Sequence, residues 1–407
     1  MDMLSPTPPS GGDALLVINA GSSSLKFSVF RTLDDGGVTA AINGQISGIG
    51  TEPRFEAKDT AKNPIGAKAW TAGEKADRTA LLSYLLDWIE EHLDGARLLA
   101  AGHRVVHGGS GFSHPVLVTD AVMDELEALI PLAPLHQPHN LAAIRALAEA
   151  HPELPQIACF DTAFHRGQPW QAQTFALPRE MTESGIRRYG FHGLSYEYIA
   201  RRLPEIAPEL ADARVVVCHL GSGSSMCAIH AGKSVDSTMG FTAVDGLPMG
   251  TRTGCLDPGV LIYLMRSRGM DADALEKLIY NKSGLLGVSG ISNDMRVLLE
   301  SPEPHAAEAV ELFCFRVAKE AGALTSSMGG VDAIVFTAGI GERSAPVRAR
   351  VGEKLAWLGI SIDAERNAAN AHRISTDDSR LPVWVIPTDE EQMIALHTRK
   401  VLALASV

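Results

Sequence analysis

The sequence predicts an α/β protein built from two related domains, and three observations support this. Short β-rich runs alternate along the chain with longer stretches whose apolar residues recur at helical spacing, a pattern typical of α/β architectures. The length of 407 residues suits two domains of common size. A Gly/Ser-rich segment near the start is repeated about half a chain later.

Strands are predicted where short apolar, β-branched runs are bounded by glycine or small residues. They cover 15–20, 26–30, 214–220 and 333–339. Helices are predicted where apolar residues keep a helical period. They cover 77–93, 120–130, 139–150, 258–267, 304–328 and 389–405.

The repeat relates two predicted hairpins. Residues 17–24 read Val-Ile-Asn-Ala-Gly-Ser-Ser-Ser, and residues 217–224 read Val-Cys-His-Leu-Gly-Ser-Gly-Ser, an offset of 200 positions. Backbone N–H groups in such a small-residue turn can approach an anion closely. Repetition at this distance favours a duplicated domain, although two Gly/Ser turns can also resemble each other by chance.

Composition narrows the function. The formal net charge of −12 argues against a nucleic-acid partner and requires any anion site to be built from locally placed cations. The five cysteines show no metal-binding spacing, which favours reduced, buried thiols. Residues 1–13 are expected to form a flexible tail, and no apolar run is long enough to span a membrane, so a cytoplasmic location is expected.

Four segments place cationic side chains beside glycine or proline. Arg104 and Arg252 are flanked by glycines, His192 lies in an unusually donor-rich loop, and His136 follows two prolines. An arginine held in this way can present a planar fork to a carboxylate or phosphate. Strand-end ion pairs, and helix capping by a histidine or by Ser195, are the structural alternatives.

Acidic and glycine-rich segments complete the candidate site. Asp161 follows an apolar strand and Glu390 lies in the first turn of the last helix, where an acid can also simply cap a turn or complement the helix dipole. The segment 339–343 is predicted to be a glycine loop between a strand and a helix beginning near Ser344, and such a loop suits a nucleotide. Residues 293–296 are predicted to open another helix.

This inventory favours phosphoryl transfer, in which catalysis is mostly positioning and charge neutralisation. No P-loop is present, because Cys227 occupies the position where that motif needs its first glycine before Gly232. No dinucleotide fingerprint, Ser-His-Asp elbow or zinc set occurs either.

Six motifs resemble those of the acetokinase family, in the family's order and across nearly the whole chain. The resemblance implies two duplicated ribonuclease-H-like domains with the actin-like ATPase fold and an active-site cleft between them. It implies an N-terminal domain at 14–161 joined by the C-terminal helix 391–407, and a nucleotide-binding and dimerisation domain at 162–390 of a homodimer. The motifs are N-A-G-S-S-S-L-K (19–26), G-H-R-V-V-H-G-G (102–109), F-D-T-A-F-H (160–165), Y-G-F-H-G (189–193), M-G-T-R (249–252) and T-A-G-I-G-E (337–342).

The implied activity is reversible phosphorylation of acetate by ATP, giving acetyl phosphate and ADP, with Mg²⁺ or Mn²⁺ as cofactor and direct in-line transfer. By resemblance, the catalytic residues are Asp161, Arg104, His192, Arg252 and His136, and the metal residues are Asn19 and Glu390. Asp161 has two open roles, as an acid/base or as an organiser of the metal. The implied acyl pocket contains Arg104, Val106, Leu135, Phe191 and Ala243. The implied nucleotide contacts are Lys26, His219, Leu220, Gly221, Ser222, Gly223, Asp294, Met295, Arg296, Gly339, Ile340, Gly341, Glu342 and Arg343.

The chain departs from the family pattern at four of these positions or their neighbours. Ser222, Arg343 and Asp389 each stand where asparagine is usual, which alters the nucleotide contact, the adenosine end and the charge near the metal. Ala243 replaces a common pocket proline, and the extra space suits propionate, since one methylene is worth only about 1–3 kcal/mol of discrimination.

Two alternative functions follow. A propionate or butyrate kinase of the same fold would differ in its acyl preference. An ATP-gated binding protein would keep the nucleotide site but would not need Arg104, His192 and Arg252 together.

Overall fold

A computed structural model describes residues 12–71, 74 and 76–405. Most of the predicted tail, 1–11, lies outside this range. Gly12 and Asp13 are bonded to the body of the protein: Gly12 N donates to the Thr32 carbonyl at 2.8 Å, and Asp13 pairs with Arg97 at 2.8 Å. No helix among the described residues is long and apolar enough to cross a membrane.

Thirteen strands in the described part of the chain form two sheets, and all four predicted strands are confirmed. They are β1 Ala14–Ala20, β2 Ser24–Thr32, β3 Val38–Ser47, β4 Arg54–Asp59, β5 Pro64–Ala69, β6 Leu98–Val105, β7 Val116–Leu117, β8 Gln156–Phe160, β9 Arg214–His219, β10 Ser225–His230, β11 Lys233–Ser237, β12 Ala333–Thr337 and β13 Val383–Val385.

Fourteen α-helices lie within the same described range, and all six predicted helices are present. They are α1 Arg78–Glu91, α2 Asp120–Ala128, α3 Gln137–Ala150, α4 Arg179–Glu183, α5 Gly193–Ile206, α6 Pro258–Arg268, α7 Ala272–Asn281, α8 Gly284–Ser289, α9 Met295–Glu300, α10 Pro304–Ser327, α11 Ala338–Arg343, α12 Ala345–Lys354, α13 Ala364–Ala368 and α14 Glu390–Ala405.

The first compact unit runs to Phe164 and includes the chain from Asp389 onward. Its sheet has the order β5-β4-β3-β2-β1-β6-β8-β7. Strands β1 to β5 form an antiparallel meander, whereas β1, β6 and β8 are parallel, so the carboxyl ends of these three strands lie at one edge.

Helices cover both faces of the parallel part of this sheet. Leu16 and Ile18 point into a core with α1 and α3, while Val17 and its partner Gly102 point the other way. A Cβ on Gly102 would lie 2.7 Å from Ile394 Cγ2, closer than packed side chains allow. Glycine at this position therefore lets α14 lie directly on β6.

The second unit comprises His165–Thr388 and has the sheet order β11-β10-β9-β12-β13. Strands β9 and β10 form an antiparallel hairpin, and β12 runs parallel beside β9. This repeats the arrangement of β1, β2 and β6, so the sequence repeat reflects a structural duplication. Helix α10 buries Phe313, Cys314 and Val317 in the core of this unit.

Two local predictions are wrong. Ser195 does not cap α5, because His192 occupies the N-cap position and the Ser195 hydroxyl bonds instead to His219 and Thr388. Residues 339–343 are not a loop but most of helix α11, whose first residue, Ala338, is left-handed with φ 63°.

Candidate active site

Three charged residues converge in the first unit. Arg104 donates from Nε to Asp161 Oδ1 at 3.1 Å and from Nη2 to Asp161 Oδ2 at 2.6 Å. Its Nε lies 3.7 Å from Glu390 Oε2. The Asp161 side chain is only 2% exposed, and the side chains of Arg104 and Glu390 are about one-fifth exposed, at 21% and 18%.

The fold explains why residues so distant in sequence meet. Arg104 lies near the end of β6, Asp161 directly follows β8, and Glu390 is the first residue of α14. Because β6 and β8 are parallel, their ends share an edge, and Gly102 lets α14 approach that edge. Carboxyl ends of parallel strands are the usual ligand position in α/β sheets.

Burial and charge shape the acid–base properties of this cluster. Burial raises the pKa of Glu390 to about 7; Arg104 opposes this rise and the Asp161 carboxylate adds to it. Burial alone would lower the pKa of Arg104, but the Asp161 and Glu390 carboxylates outweigh it and raise that pKa above its ordinary value. The arginine is therefore a fixed cation between two acids.

The predicted metal residues supply suitable ligand atoms in this unit. Asn19 lies on β1 directly opposite Lys26 of β2, and Glu390 contributes a carboxylate beside Asp161. Such hard oxygen donors suit Mg²⁺, which is commonly held by one or two carboxylates together with substrate phosphates. Within the described ranges, no group of three or more His, Cys, Asp and Glu side chains is arranged to hold a metal ion.

The remaining predicted residues of this unit lie around the segments that follow β6 and precede α3. Val106 is buried, Leu135 is 42% exposed, and His136 occupies the N-cap position of α3 without a capping bond from its side chain. The assignment of Val106 and Leu135 to an acyl pocket stays a prediction.

The second unit brings His192 and Arg252 to one glycine turn. A Cβ built on Gly223 would lie 3.5 Å from His192 Nε2 and 3.8 Å from Arg252 Nη1. The Arg252 guanidinium also donates from Nη1 to the carbonyl of Ala243, at 3.0 Å. The turn of the second hairpin therefore faces both predicted cationic residues of this unit.

His192 is held in one orientation. Its backbone is left-handed, with φ 56°, its Nδ1 lies 2.8 Å from Ser225 Oγ, and its ring stacks on His219 with centroids 4.2 Å apart. His219 Nδ1 is in turn 2.8 Å from Ser195 Oγ. These contacts direct His192 Nε2 towards the Gly223 turn.

The predicted nucleotide segments also gather in the second unit. The carbonyl of Leu220 accepts from Ile340 N at 2.7 Å and from Gly341 N at 3.0 Å, which ties α11 to the end of β9. Gly250 N donates to the Ser222 carbonyl at 3.1 Å. Their neighbours Gly221, Gly339, Glu342 and Arg343 lie in these two segments.

In the predicted nucleotide segment 294–296, the side chain of Met295 cannot contact a ligand. Asp294 caps α9 and pairs with Arg296 at 2.5 Å, contacts that lower the pKa of Asp294 to about 2. Met295, however, is 3% exposed and belongs to the core. Only its backbone can meet a ligand.

Sequence reasoning missed several residues that orient this machinery. Ser225 bonds to His192, and two buried amides at the start of α3, Gln137 and Asn140, bond to the ends of β1 and β6. The one available signal was a polar residue, Asn140, on the apolar stripe that also contains Leu141 and Ile144.

A separate cavity of about 270 Å³ lies in the second unit. It is lined by Arg188, Asp245 and Glu320, among other residues, and Arg188 and Asp245 pair at 3.1 Å. None of the predicted site residues lines it.

The chain is similar to known proteins along almost its whole length. The model of the Acetokinase family matches residues 14–396. An acetate kinase from Rhodopseudomonas palustris is 53% identical over 391 residues, covering 95% of this chain and 97% of that protein.

Two solved structures resemble the whole chain. A propionate kinase from Francisella tularensis is 37% identical with a TM-score of 0.88, covering 95% of this chain and 98% of that one. A Porphyromonas gingivalis acetate kinase is 35% identical with a TM-score of 0.86, covering 96% of this chain and 100% of that one. The α/β class and the duplicated fold predicted from the sequence are confirmed.

Proposed function

This chain belongs to the acetokinase family, and we propose that it transfers the γ-phosphoryl group of ATP to acetate, giving acetyl phosphate and ADP. The observation that carries the proposal is that His192 Nε2 and Arg252 Nη1 both lie close to the Gly223 turn. Nucleotide binding alone does not need an arginine and a histidine nitrogen at one turn. Phosphoryl transfer does, because negative charge on the transferred group must be stabilised.

The reaction needs no strong base. Acetate is ionised at neutral pH, so its oxygen can attack phosphorus as it stands, and the bond between the γ-phosphorus and the β,γ-bridging oxygen breaks as the new one forms. The main difficulty is bringing one anion against another. Fixed positive charge reduces this repulsion, and we propose that Arg104 supplies it in the first unit and Arg252 in the second, with a ring nitrogen of His192 beside Arg252.

Asp161 acts in this proposal by orienting Arg104. Both of its carboxylate oxygens accept from the Arg104 guanidinium, and its side chain is almost fully buried. This bidentate contact fixes the plane of the arginine fork.

Mg²⁺ or Mn²⁺ is the proposed cofactor, and Asn19 and Glu390 would hold it. Such a cation, when bound, neutralises phosphate charge. The surroundings of Arg104 support this proposal. Two carboxylates, Asp161 and Glu390, face a single arginine, so the cluster has an excess of negative charge that a metal cation would balance.

The homodimer is also proposed. Helix α6 exposes Val260, Ile262, Tyr263 and Met265, each between 39% and 54% exposed. Several large apolar side chains exposed together on one helix are typical of an interface. We expect Ile262→Glu to shift the mass measured by light scattering from dimer to monomer, whereas Glu353→Lys on α12 should leave a dimer; a wild-type monomer would refute this assignment.

A cytoplasmic location fits a substrate such as ATP. The five cysteines carry free thiols, four of them buried, as expected for a reducing compartment.

Trapping acyl phosphate with hydroxylamine tests the main proposal. With ATP and Mg²⁺, we expect acetyl hydroxamate from the wild type, with acetate preferred to butyrate and close to propionate in kcat/KM. The propionate alternative rests on Ala243, which is partly exposed. The proline that is common at this position in the family is larger and would narrow the pocket. A butyrate preference, or no acyl phosphate with any short acid, would refute the assignment to acetate.

A further inference from the structure

The backbone ladder between β1 and β6 stops before either strand ends. Parallel pairing runs as far as Ile18 and His103. Beyond that point, the side chain of Asn140 bridges the backbone segments at the ends of β1 and β6. Its Nδ2 donates to the Ala20 carbonyl at 2.8 Å, and its Oδ1 accepts from Val106 N at 3.0 Å.

The Asn140 amide takes the place of a peptide group between the separating strands. It offers one donor and one acceptor in a plane, as a backbone unit does, and it is 4% exposed. Strands that separate at their carboxyl ends open the crevice in which ligands bind in α/β sheets. Asn140 therefore fixes how far these two strand ends part.

The two backbone groups that Asn140 holds adjoin the site directly. Ala20 follows Asn19, and Val106 lies two residues after Arg104. The neighbouring side chain of Gln137 holds the next residue in the same way, with Oε1 accepting from His107 N at 3.2 Å and Nε2 donating to His107 O at 3.0 Å.

We propose that Asn140 is a positioning residue of the phosphoryl-transfer site, setting the separation between the chain segments that carry Asn19 and Arg104. The inference rests on the proposed function. It assigns Asn140 no contact with a reactant: it acts through the Ala20 carbonyl and the Val106 amide.

The same unit offers a matched control. Gln156 is also a buried side-chain amide, 6% exposed, and it donates to the Ile144 carbonyl of α3 at 3.2 Å. It lies at the start of β8, whereas Asp161 follows the end of that strand. The Gln156 side chain also bonds to the His103 side chain of β6, but it does not bond to the Ala20 carbonyl or to the Val106 amide.

The test compares Asn140→Asp and Asn140→Ala with Gln156→Glu and Gln156→Ala in the full chain. The aspartate at 140 keeps an acceptor for Val106 N but faces the Ala20 carbonyl with a second oxygen. We expect both Asn140 variants to lose about 10- to 100-fold in kcat per folded molecule, with smaller changes in KM for ATP. The Gln156 variants should lose comparable thermal stability but keep kcat within about 2-fold, because they leave both Asn140 bonds to the strand ends intact.

Amide hydrogen exchange gives a second readout that does not require activity. Exchange should accelerate at residues 19–24 and 104–108 in the Asn140 variants, and should stay at its wild-type rate in β3 and β4. Wild-type kcat per folded molecule in both Asn140 variants, or an equal kcat loss in the Gln156 variants, would overturn the inference alone. A wild type that makes no acyl phosphate would overturn the proposed function and, with it, this inference.

Discussion

Replacement of Gly223 by alanine should separate catalysis from stability. The new Cβ would lie 3.5 Å from His192 Nε2 and 3.8 Å from Arg252 Nη1, which are ordinary contact distances and require no rearrangement. Gly223 is also not among the residues with positive φ. Alanine is therefore compatible with the native backbone, and it restricts the unfolded chain, so the free energy of unfolding should stay level or rise by about 0.4–1 kcal/mol.

Activity should change in the opposite direction. Phosphate oxygens bind charged nitrogen donors at about 2.7–2.9 Å, and a methyl group beside both nitrogens leaves less room for such an oxygen. Loss of one charge-stabilising donor costs about 10²- to 10³-fold in kcat at comparable sites, so we expect kcat to fall by at least about 10²-fold.

Two measurements test this separation: initial rates of acetyl hydroxamate formation report kcat, and urea unfolding reports stability. Gly167→Ala is the control, because a Cβ there meets nothing within 4 Å and the backbone is not left-handed. Its rate should match the wild type, and its free energy of unfolding should likewise stay level or rise by about 0.4–1 kcal/mol. A Gly223→Ala enzyme with normal kcat would refute the placement of the phosphoryl group at this turn, and a loss of activity explained by unfolding would refute the steric argument.

Three further predictions follow. Arg252→Ala should lower kcat by at least about 10²-fold, and near-normal turnover in the hydroxamate assay would remove Arg252 from the site. Asp161→Asn should lower the free energy of unfolding by about 3 kcal/mol, because it leaves the Arg104 cation without its buried partner, and should lower kcat; urea unfolding that matches the wild type would contradict this. Burial lowers the pKa of His103 and of His165 to about 4 in the folded protein. As the pH falls below about 6.5, these histidines therefore bind protons in the unfolded chain before they do so in the folded protein. Stability should therefore be complete above that pH and decline towards pH 4, by about 2 kcal/mol per histidine at pH 5, and His103→Gln should flatten the decline seen in urea titrations at pH 7 and pH 5.

The elements predicted from the sequence are those with a strong periodic signal. Helix α10 keeps an apolar face over its whole length, and β9 and β12 are almost continuous apolar runs, so pattern alone locates them. Strand β5, in contrast, has no buried residue and begins with proline, so its composition gives no sign of the sheet edge it forms. Helix α11 was missed because its glycines read as a loop; its position depends on bonds to Leu220, which the local sequence does not reveal.

The candidate site could be predicted as a set of residue types but not as a set of contacts. Glycines beside Arg104 and Arg252 indicated anion binding, yet nothing in the sequence indicated that Arg104 would pair with a residue 57 positions away. Asn140 was missed for a related reason. The role of a single polar residue on the apolar face of a helix can be recognised only when the strand ends that it bonds to are known.

Gly102 and Gly223 have different physical roles, and this difference connects the fold with the chemistry. Gly102 lies beneath α14, where a side chain would collide with Ile394; its absence lets the helix bring Glu390 to 3.7 Å from Arg104. Gly223 has room for a side chain as far as folding is concerned, so packing gives no reason for a glycine there. Substitution at 102 should therefore damage the fold and the site together, whereas substitution at 223 should damage the site alone. A position that tolerates a side chain structurally but faces an arginine and a histidine nitrogen is best explained by the anion that must enter.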